Sequence, residues 1–460
     1  MNLKTKIYAT LADTLTPVSI YLKLRDLYPN SILLESNLNE KRDKSHSYIC
    51  LNPIASFKAF KTQISIVKNG QTNELNNSGA DAPKLFSSFL NEFKVDGSSK
   101  INAVFGHTNY NAIEHFDTIK LSSKELDNVI PLMHYSLYRF VIAIDHFSNE
   151  MTFTEYLQEE EQSQLEALIS TVQTIRFNAY TFNAVDEESC FTSSKTFLDQ
   201  VNTAQQACRD GNIFQIVISR RFKQKFKGDE FQVYRSLRSI NPSPYLYYFD
   251  MGSYKIFGSS PEAQIKINDG KAIINPIAGT YRRTGNNIED EALAATLKKD
   301  PKENSEHVML VDLARNDLGK VSRNIDVKSF KDIHYYSHVI HMVSEVQGEL
   351  PANYDPIQVM GQSFPAGTLS GAPKYRAMQL IDQLEPVSRN YYGGGIGFVE
   401  LNGNLNHAIM IRSFLSQNNE LHYQAGAGVV VGSVPENELE EIDNKVGALK
   451  MAIKKAADIQ

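Results

Sequence analysis

The sequence has 460 residues and contains no tryptophan, only three cysteines and no long apolar run. A membrane-crossing helix needs about 18 consecutive apolar residues, so none is expected here. Cys50, Cys190 and Cys208 are scattered. They offer neither a disulfide framework nor the paired spacing of a structural zinc site, which suits a reducing cytoplasm. A secretory leader is also not expected, because Asp13, Thr14 and Pro17 interrupt the apolar stretch after the basic start. The net charge is −6, which argues against an extended nucleic-acid-binding surface. What remains is an ordinary globular composition, 42% hydrophobic and 22% charged.

The length allows one large domain or two to three smaller ones. Strand patterns at 31–36 and 47–51, and two strands about a turn at 147–149, mark the first part. Residues 158–174 read as a helix, and Asp186-Glu187-Glu188-Ser189 reads as a linker. We therefore divide the chain into an N-terminal region, 1–185, and a second region, 190–456. In the second region helices are expected at 195–210, 301–318, 374–383 and 436–455. Val308, Val311, Ala314 and Leu318 form the inward stripe of the second of these. Strands are expected at 214–222, 245–250, 255–258, 395–401, 408–415 and 421–431, with a hairpin over Asp269-Gly270. This is an α+β pattern of large, mainly antiparallel sheets packed as a two-layer sandwich and flanked by helices, not a βαβ series.

Two Glu-x-x-Glu steps are the first candidate site. Glu303 and Glu306 follow Pro301, and Glu438 and Glu441 follow Pro435. Proline suits the first turn of a helix, and residues three apart share a helix face. Two such helices can converge four carboxylates, which repel one another unless a hard cation such as Mg²⁺ sits among them. The plainer alternative is capping, with Asp300 as N-cap and Glu303 at N3. Other motifs are weak singly. The Gly-rich run 364–374, with Thr368, offers backbone amides to an anion but is not a P-loop. Gly393-Gly394-Gly395 lacks the order of a dinucleotide fingerprint. Gly426 and Gly428 in a strand permit close approach of a ligand or another chain segment. Arg412, in an apolar strand, must reach solvent or meet an anion. Lys445 is placed to pair with Glu441. His334, His338 and His341 do not form a zinc signature, although one of them can act as an acid or base.

In order, these segments resemble the chorismate-utilising enzymes. The match is carried by Gly211–Val217, Ser260-Pro261-Glu262, Pro276-Ile277-Ala278-Gly279-Thr280, Leu310–Leu318, Gly367–Lys374, Ile411-Arg412-Ser413, Ala425–Gly428 and Pro435–Lys445. Leu33-Leu34-Glu35-Ser36 and Asn241-Pro242-Ser243-Pro244-Tyr245 resemble the tryptophan-binding feedback site of anthranilate synthase large subunits. The resemblance implies the chorismate-binding fold over 190–456 and a regulatory region over 1–185. It also implies site roles. Glu262 would be the acid, and His341 would serve in the later elimination. Lys445 would add positive charge. Thr368, Tyr392, Arg412, Thr280 and the amides of Gly426 and Gly428 would bind substrate. Glu306 and Glu441 would hold Mg²⁺, with Glu303 and Glu438 in support. Leu34, Glu35, Ser36, Pro244, Tyr245 and Leu246 would bind L-tryptophan. Asn406-His407 stands where the family often has an acidic residue.

Two positions separate reactions within the family. Water-adding members carry a lysine base where this chain has Gln215, and a glutamine takes no proton from water. Aminodeoxychorismate synthases typically carry a lysine nucleophile where this chain has Ala278. Both differences favour anthranilate formation from chorismate and ammonia. Aminodeoxychorismate synthesis, or a catalytically dead tryptophan sensor, are the alternatives. None of the cysteines lies in the Gly-x-Cys-x-Gly turn of a glutaminase. Ammonia is therefore expected from a separate glutaminase subunit.

Overall fold

A computed structural model describes residues 1–36, 45–77, 81–97, 99–122, 124, 130–174, 176–336 and 339–459, without the Thr280 side chain. Long strand Met133–Asp145 is the junction of the fold. It pairs antiparallel with His46–Ala59, with Glu150–Leu157 and, at its start, with Ala103–Thr108. Two runs of strands lead away from it. One passes through Ile32–Ser36, Tyr245–Asp250, Lys255–Ser260, Ser413–Gln417 and Glu420–Val429 to Gln215–Gly228. The other passes through Ala103–Thr108, Gly395–Glu400, Leu405–Ile409 and Ala263–Asn268. It continues through Lys271–Ile274 and Val339–Glu349 to Ile277–Arg282 and Arg323–Tyr335.

Strand periodicity assigns the two faces of the first run. Ile32, Tyr247, Ile256 and Leu415 point into a core shared with Val104, Phe105, Ile265 and Ile396 of the second run. Their neighbours Leu33, Tyr248, Phe257 and Phe414 point the other way, into a core with Phe197, Val201, Tyr234, Ile442 and Val446 of the helices. One layer boundary is thus sheet on sheet and the other is helix on sheet, as the α+β reading expects. Among the described residues, no helix is long and apolar enough to cross a membrane.

Several local expectations change. Residues 186–189 are not a linker. They lie in strand Phe182–Cys190, which pairs with Gln215–Gly228 across an irregularity between Val185 and Ser189. The helix expected from 158 begins only at Leu165. There Glu155 takes the amide of Gln164 and the Ser163 hydroxyl. Val308 is 41% exposed while Val311, Ala314 and Leu318 are buried. The single strand expected at 408–415 is two strands, broken at 410–412, where Arg412 takes φ 51°. The apolar run hid that break, because apolarity reports burial and not chain direction.

Candidate active site

Each Glu-x-x-Glu step opens a helix. Pro301 starts helix Pro301–Gly319, and the Asp300 carboxylate accepts from the amides of Lys302 and Glu303 at 2.9 and 3.0 Å. The reciprocal half of the capping box is absent. The Asp300 amide instead donates to Thr296 and Leu297 at the end of the preceding helix. That releases the Glu303 carboxylate, which turns toward Gly279. A Cβ built on Gly279 would lie 3.1 Å from Glu303 Oε2. Glu306, on the same face, accepts from Gln215 Nε2 at 3.0 Å. Helix Pro435–Ala456 supplies the second step and has no side-chain N-cap. Glu438 is buried, and Glu441 pairs with Lys445 Nζ at 2.6 Å.

The two steps meet electrostatically. The Glu303 carboxyl is held above its ordinary range by burial first, then by Glu306, Asp300 and Glu441, against Lys302. Glu438 is held up by burial and by Glu441, with Ser433 and Lys302 opposing. Four carboxylates therefore share one region with too little positive charge. Among the described residues, however, no three acidic, histidine or cysteine side chains form a ready-made metal cage. A hard divalent ion matches the chemistry of this donor set, and the side chains would close on it.

Glu262 faces this region from the junction after strand Lys255–Ser260. Its backbone carbonyl accepts from the Ile409 amide at 2.9 Å, and its carboxylate accepts from Thr368 Oγ1 at 3.0 Å. Burial pushes its pKa up to about 8, tempered by Thr368 and Lys445. A carboxyl that keeps its proton near neutrality can act as an acid. Lys445 Nζ also donates to the Gly426 carbonyl at 2.9 Å, so Lys445 ties the acid's surroundings to the second Glu-x-x-Glu helix.

The glycines of Ala425–Gly428 are explained by what crosses them. A Cβ on Gly426 would come within 2.9 Å of the Tyr392 hydroxyl, and one on Gly428 within 2.9 Å of Gln215 Nε2. Arg412 lies at the break between two strands, where its carbonyl accepts from the Ser259 amide. Burial lowers its pKa, and the nearby Tyr392 and Glu441 oppose that fall. No carboxylate among the described residues forms an ion pair with Arg412, so its guanidinium is available to an incoming anion. His341 is buried, and its Nδ1 contacts the Gly279 carbonyl at 3.1 Å. Its pKa is lowered by burial and by Arg412 and His334, so a neutral imidazole is held there. Ala278 is opposite Met342 on the adjoining strand, and Thr280 is opposite His341. His338 and the Thr280 side chain lie outside the described residues.

The residues expected to recognise tryptophan also come together, on the strand pair next to the one that leads into Glu262, with Tyr245 opposite Ser260. Leu34, Glu35 and Ser36 lie opposite Tyr247, Leu246 and Tyr245, with Pro244 just before. Glu35 is buried and accepts from the Tyr234 hydroxyl at 2.6 Å and from Arg238 Nε at 2.9 Å.

Three supports of the site were not visible in the sequence. Arg389 is buried, bonded to Glu385 at 2.6 Å and to the carbonyls of Leu369 and Val217. Its guanidinium lies 5.8 Å from the Tyr392 ring centre. Glu385 in turn accepts from the amide and hydroxyl of Ser219. Lys374 pairs with Asp317 at 2.7 Å and donates to the Ser363 carbonyl. Gln264 donates to Ser363 Oγ at 2.8 Å. Glu385 and Arg389 lie past the end of helix Lys374–Leu384, so no helix spacing signalled their pairing.

Comparison with known proteins decides the family. Residues 34–451 match the family described as chorismate binding enzyme. The chain belongs to that family. It is 36% identical to anthranilate synthase component 1 of Aquifex aeolicus, over 98% of the chain and 94% of the relative. It is 35% identical to anthranilate synthase component 1 of Bacillus subtilis, over 97% and 91%. The crystal structure of anthranilate synthase component I from Streptococcus pneumoniae superimposes with a TM-score of 0.78 at 30% identity. That match covers 96% of the chain and 99% of the other. The menaquinone-specific isochorismate synthase MenF of Escherichia coli shares the fold, with a TM-score of 0.74 at 19% identity. The chain is thus an enzyme of the chorismate-binding family with the α+β sandwich of its relatives.

Proposed function

We propose that the chain converts chorismate and ammonia to anthranilate, pyruvate and water, and that it works with a separate ammonia-supplying glutaminase component. The observation that carries this reading is the buried Glu262, whose proton is retained to about pH 8, beside positions that carry neither a lysine base nor a lysine nucleophile. Gln215 is committed to Glu306, and Ala278 offers only a methyl group. The relatives' names, component 1, support a partner component.

In this mechanism Arg412 takes the enolpyruvyl carboxylate, aided by Tyr392, Thr368, Thr280 and the amides of Gly426 and Gly428. Glu262 gives its proton to the C4 hydroxyl, which leaves as water. Ammonia forms the new C–N bond at C2 as the double bonds shift and the C4–O bond breaks. The ammonium so formed loses a proton, which returns the acid to its starting state. Pyruvate then leaves, with the ring hydrogen at C2 lost as a proton, and the ring becomes aromatic. His341, held neutral, is placed to take that proton. Lys445 offsets the negative charge of substrate and carboxylates. Mg²⁺ held by Glu306 and Glu441, with Glu303 and Glu438 in support, would bind the ring carboxylate and neutralise the cluster.

Leu34, Glu35, Ser36, Pro244, Tyr245 and Leu246 are proposed as an L-tryptophan site through which the product pathway restrains the enzyme. Because the chain has no tryptophan, indole emission from a dialysed complex would come from bound ligand alone. The activity is tested by incubating the chain with chorismate, an ammonium salt and Mg²⁺. Growth of anthranilate fluorescence supports the reading; its absence at every ammonium concentration refutes it.

A further inference from the structure

Behind Glu262 the structure holds a second polar feature that the reaction does not use. Glu262, Gln264, Asp317, Ser363 and Thr368 line a pocket of about 30 Å³, together with Leu310, Leu313 and Ala314. Gln264 forms its polar back wall. The Gln264 side chain is 2% exposed and its Nε2 is spent on Ser363, yet Oε1 has no hydrogen-bond partner in the protein. On the neighbouring strand His407 is fully buried. Its Nε2 contacts the Tyr135 hydroxyl at 3.4 Å, and that hydroxyl meets Thr108 Oγ1 at 2.8 Å. His407 Nδ1, like Gln264 Oε1, is without a protein partner. The two orphaned atoms face one gap. A Cβ built on Gly395 would lie 3.4 Å from His407 Nδ1 and 3.6 Å from Gln264 Oε1, at ordinary van der Waals distance from both.

Buried polar atoms are rarely left unpaired, since the loss of solvation is not returned. The two atoms do not bond each other. Gly395 is the residue that leaves the space between them open, and its backbone does not require glycine, because its φ is outside the left-handed range. We propose that the gap over Gly395 is a binding site for one small neutral molecule that both donates and accepts hydrogen bonds, water or ammonia. Gln264 Oε1 takes a hydrogen from it, and His407 Nδ1 completes the bridge. The site then extends the polar row from Thr108 and Tyr135 through His407 to Gln264, the wall it shares with the pocket behind Glu262. Two protein partners are within the number a buried water uses. The site stands independently of the reaction assigned above.

Gly395→Ala tests it, because the sign of the effect separates a filled site from a dry gap. In a dry gap an alanine methyl makes ordinary contacts and restricts the unfolded chain, so the melting midpoint rises. In a filled site the methyl displaces the bridging molecule and strands two buried polar atoms, so the midpoint falls. The expected result is a lowered midpoint, together with a density peak between Gln264 and His407 in crystals of the unaltered chain that is missing from Gly395→Ala crystals. A raised midpoint, or no peak in the unaltered chain, overturns the proposal. Melting at pH 9 in ammonium chloride and in sodium chloride of equal strength identifies the occupant. A midpoint that rises with ammonium in the unaltered chain and less so in the alanine variant assigns ammonia, and equal midpoints assign water.

Discussion

Glu262→Gln should stabilise the protein while removing its activity, and the stabilisation should depend on pH. The Glu262 carboxyl has an ordinary pKa of 4.5 and reaches about 8 in the fold, chiefly through burial. Folding therefore takes up a proton at this site between those two values. The stability carried by that proton is complete below pH 4.5 and is lost as pH rises through 8. Each pKa unit is worth about 1.36 kcal/mol, so the whole loss is on the order of 5 kcal/mol. Glutamine keeps the shape and the acceptor for Thr368 but has no proton to lose. The variant should match the parent in stability near pH 4.5 and exceed it progressively toward pH 9. For a chain of 460 residues the unfolding entropy is about 1 kcal/mol per degree, which makes the difference roughly 5 °C in melting midpoint at high pH. Thermal melts of both proteins, free of ligand and metal, at pH 5, 7 and 9 measure it. Turnover by the variant should fall at least about a hundredfold, the usual worth of a positioned acid. A midpoint difference that is the same at all three pH values would refute the buried-acid argument, whatever the activity.

The remaining expectations concern other parts of the molecule. Gly428→Ala places a methyl 2.9 Å from Gln215 Nε2; the glutamine must move and release Glu306, so kcat/KM should fall about tenfold or more with little change in melting midpoint. Glu35→Ala leaves the Tyr234 hydroxyl and Arg238 without their carboxylate. It should abolish tryptophan uptake in equilibrium dialysis and cost about 1–3 kcal/mol in urea titration; undiminished uptake would remove Glu35 from the proposed site. His107 and His407 are buried and neutral, with pKa values lowered from 6.5 to about 3. Their contribution is present above pH 6.5 and is lost as pH falls toward 3, because the unfolded chain takes up protons first. Glu262 works in the opposite sense over this range, so the effect is read in the Glu262→Gln background. There the urea midpoint should drop between pH 7 and 4.5, and adding His107→Gln should flatten that slope.

Much of the site was legible because its chemistry depends on spacing along single elements. Glu303 and Glu306, Glu438 and Glu441, and Glu441 and Lys445 are helix neighbours, and helix geometry places them without knowledge of the fold. Gly426 and Gly428 announced a close approach, although only the structure names Tyr392 and Gln215 as what approaches. The capping reading of Glu303 was half right. Asp300 caps the helix, but its own amide is satisfied by the preceding helix, which leaves the glutamate free. Partners that meet across strands left no local signal. Gln264 and His407 lie on neighbouring strands and share a gap only because Gly395 stands on a third. Arg412 shows the opposite failure, since an apolar run concealed the turn that aims it. The strand at Phe182–Cys190 was misread because its acidic residues are on an exposed, strongly polar stretch, and polarity alone resembles a linker.

The most direct test of the central claim follows the nitrogen. The chain is supplied with chorismate, Mg²⁺ and ¹⁵N-ammonium, and the products are separated and weighed by mass spectrometry. The account predicts ¹⁵N-anthranilate and pyruvate in equal amounts, with no intermediate accumulating. Isochorismate, or an amino-chorismate that keeps its enolpyruvyl group, as the end product would contradict it.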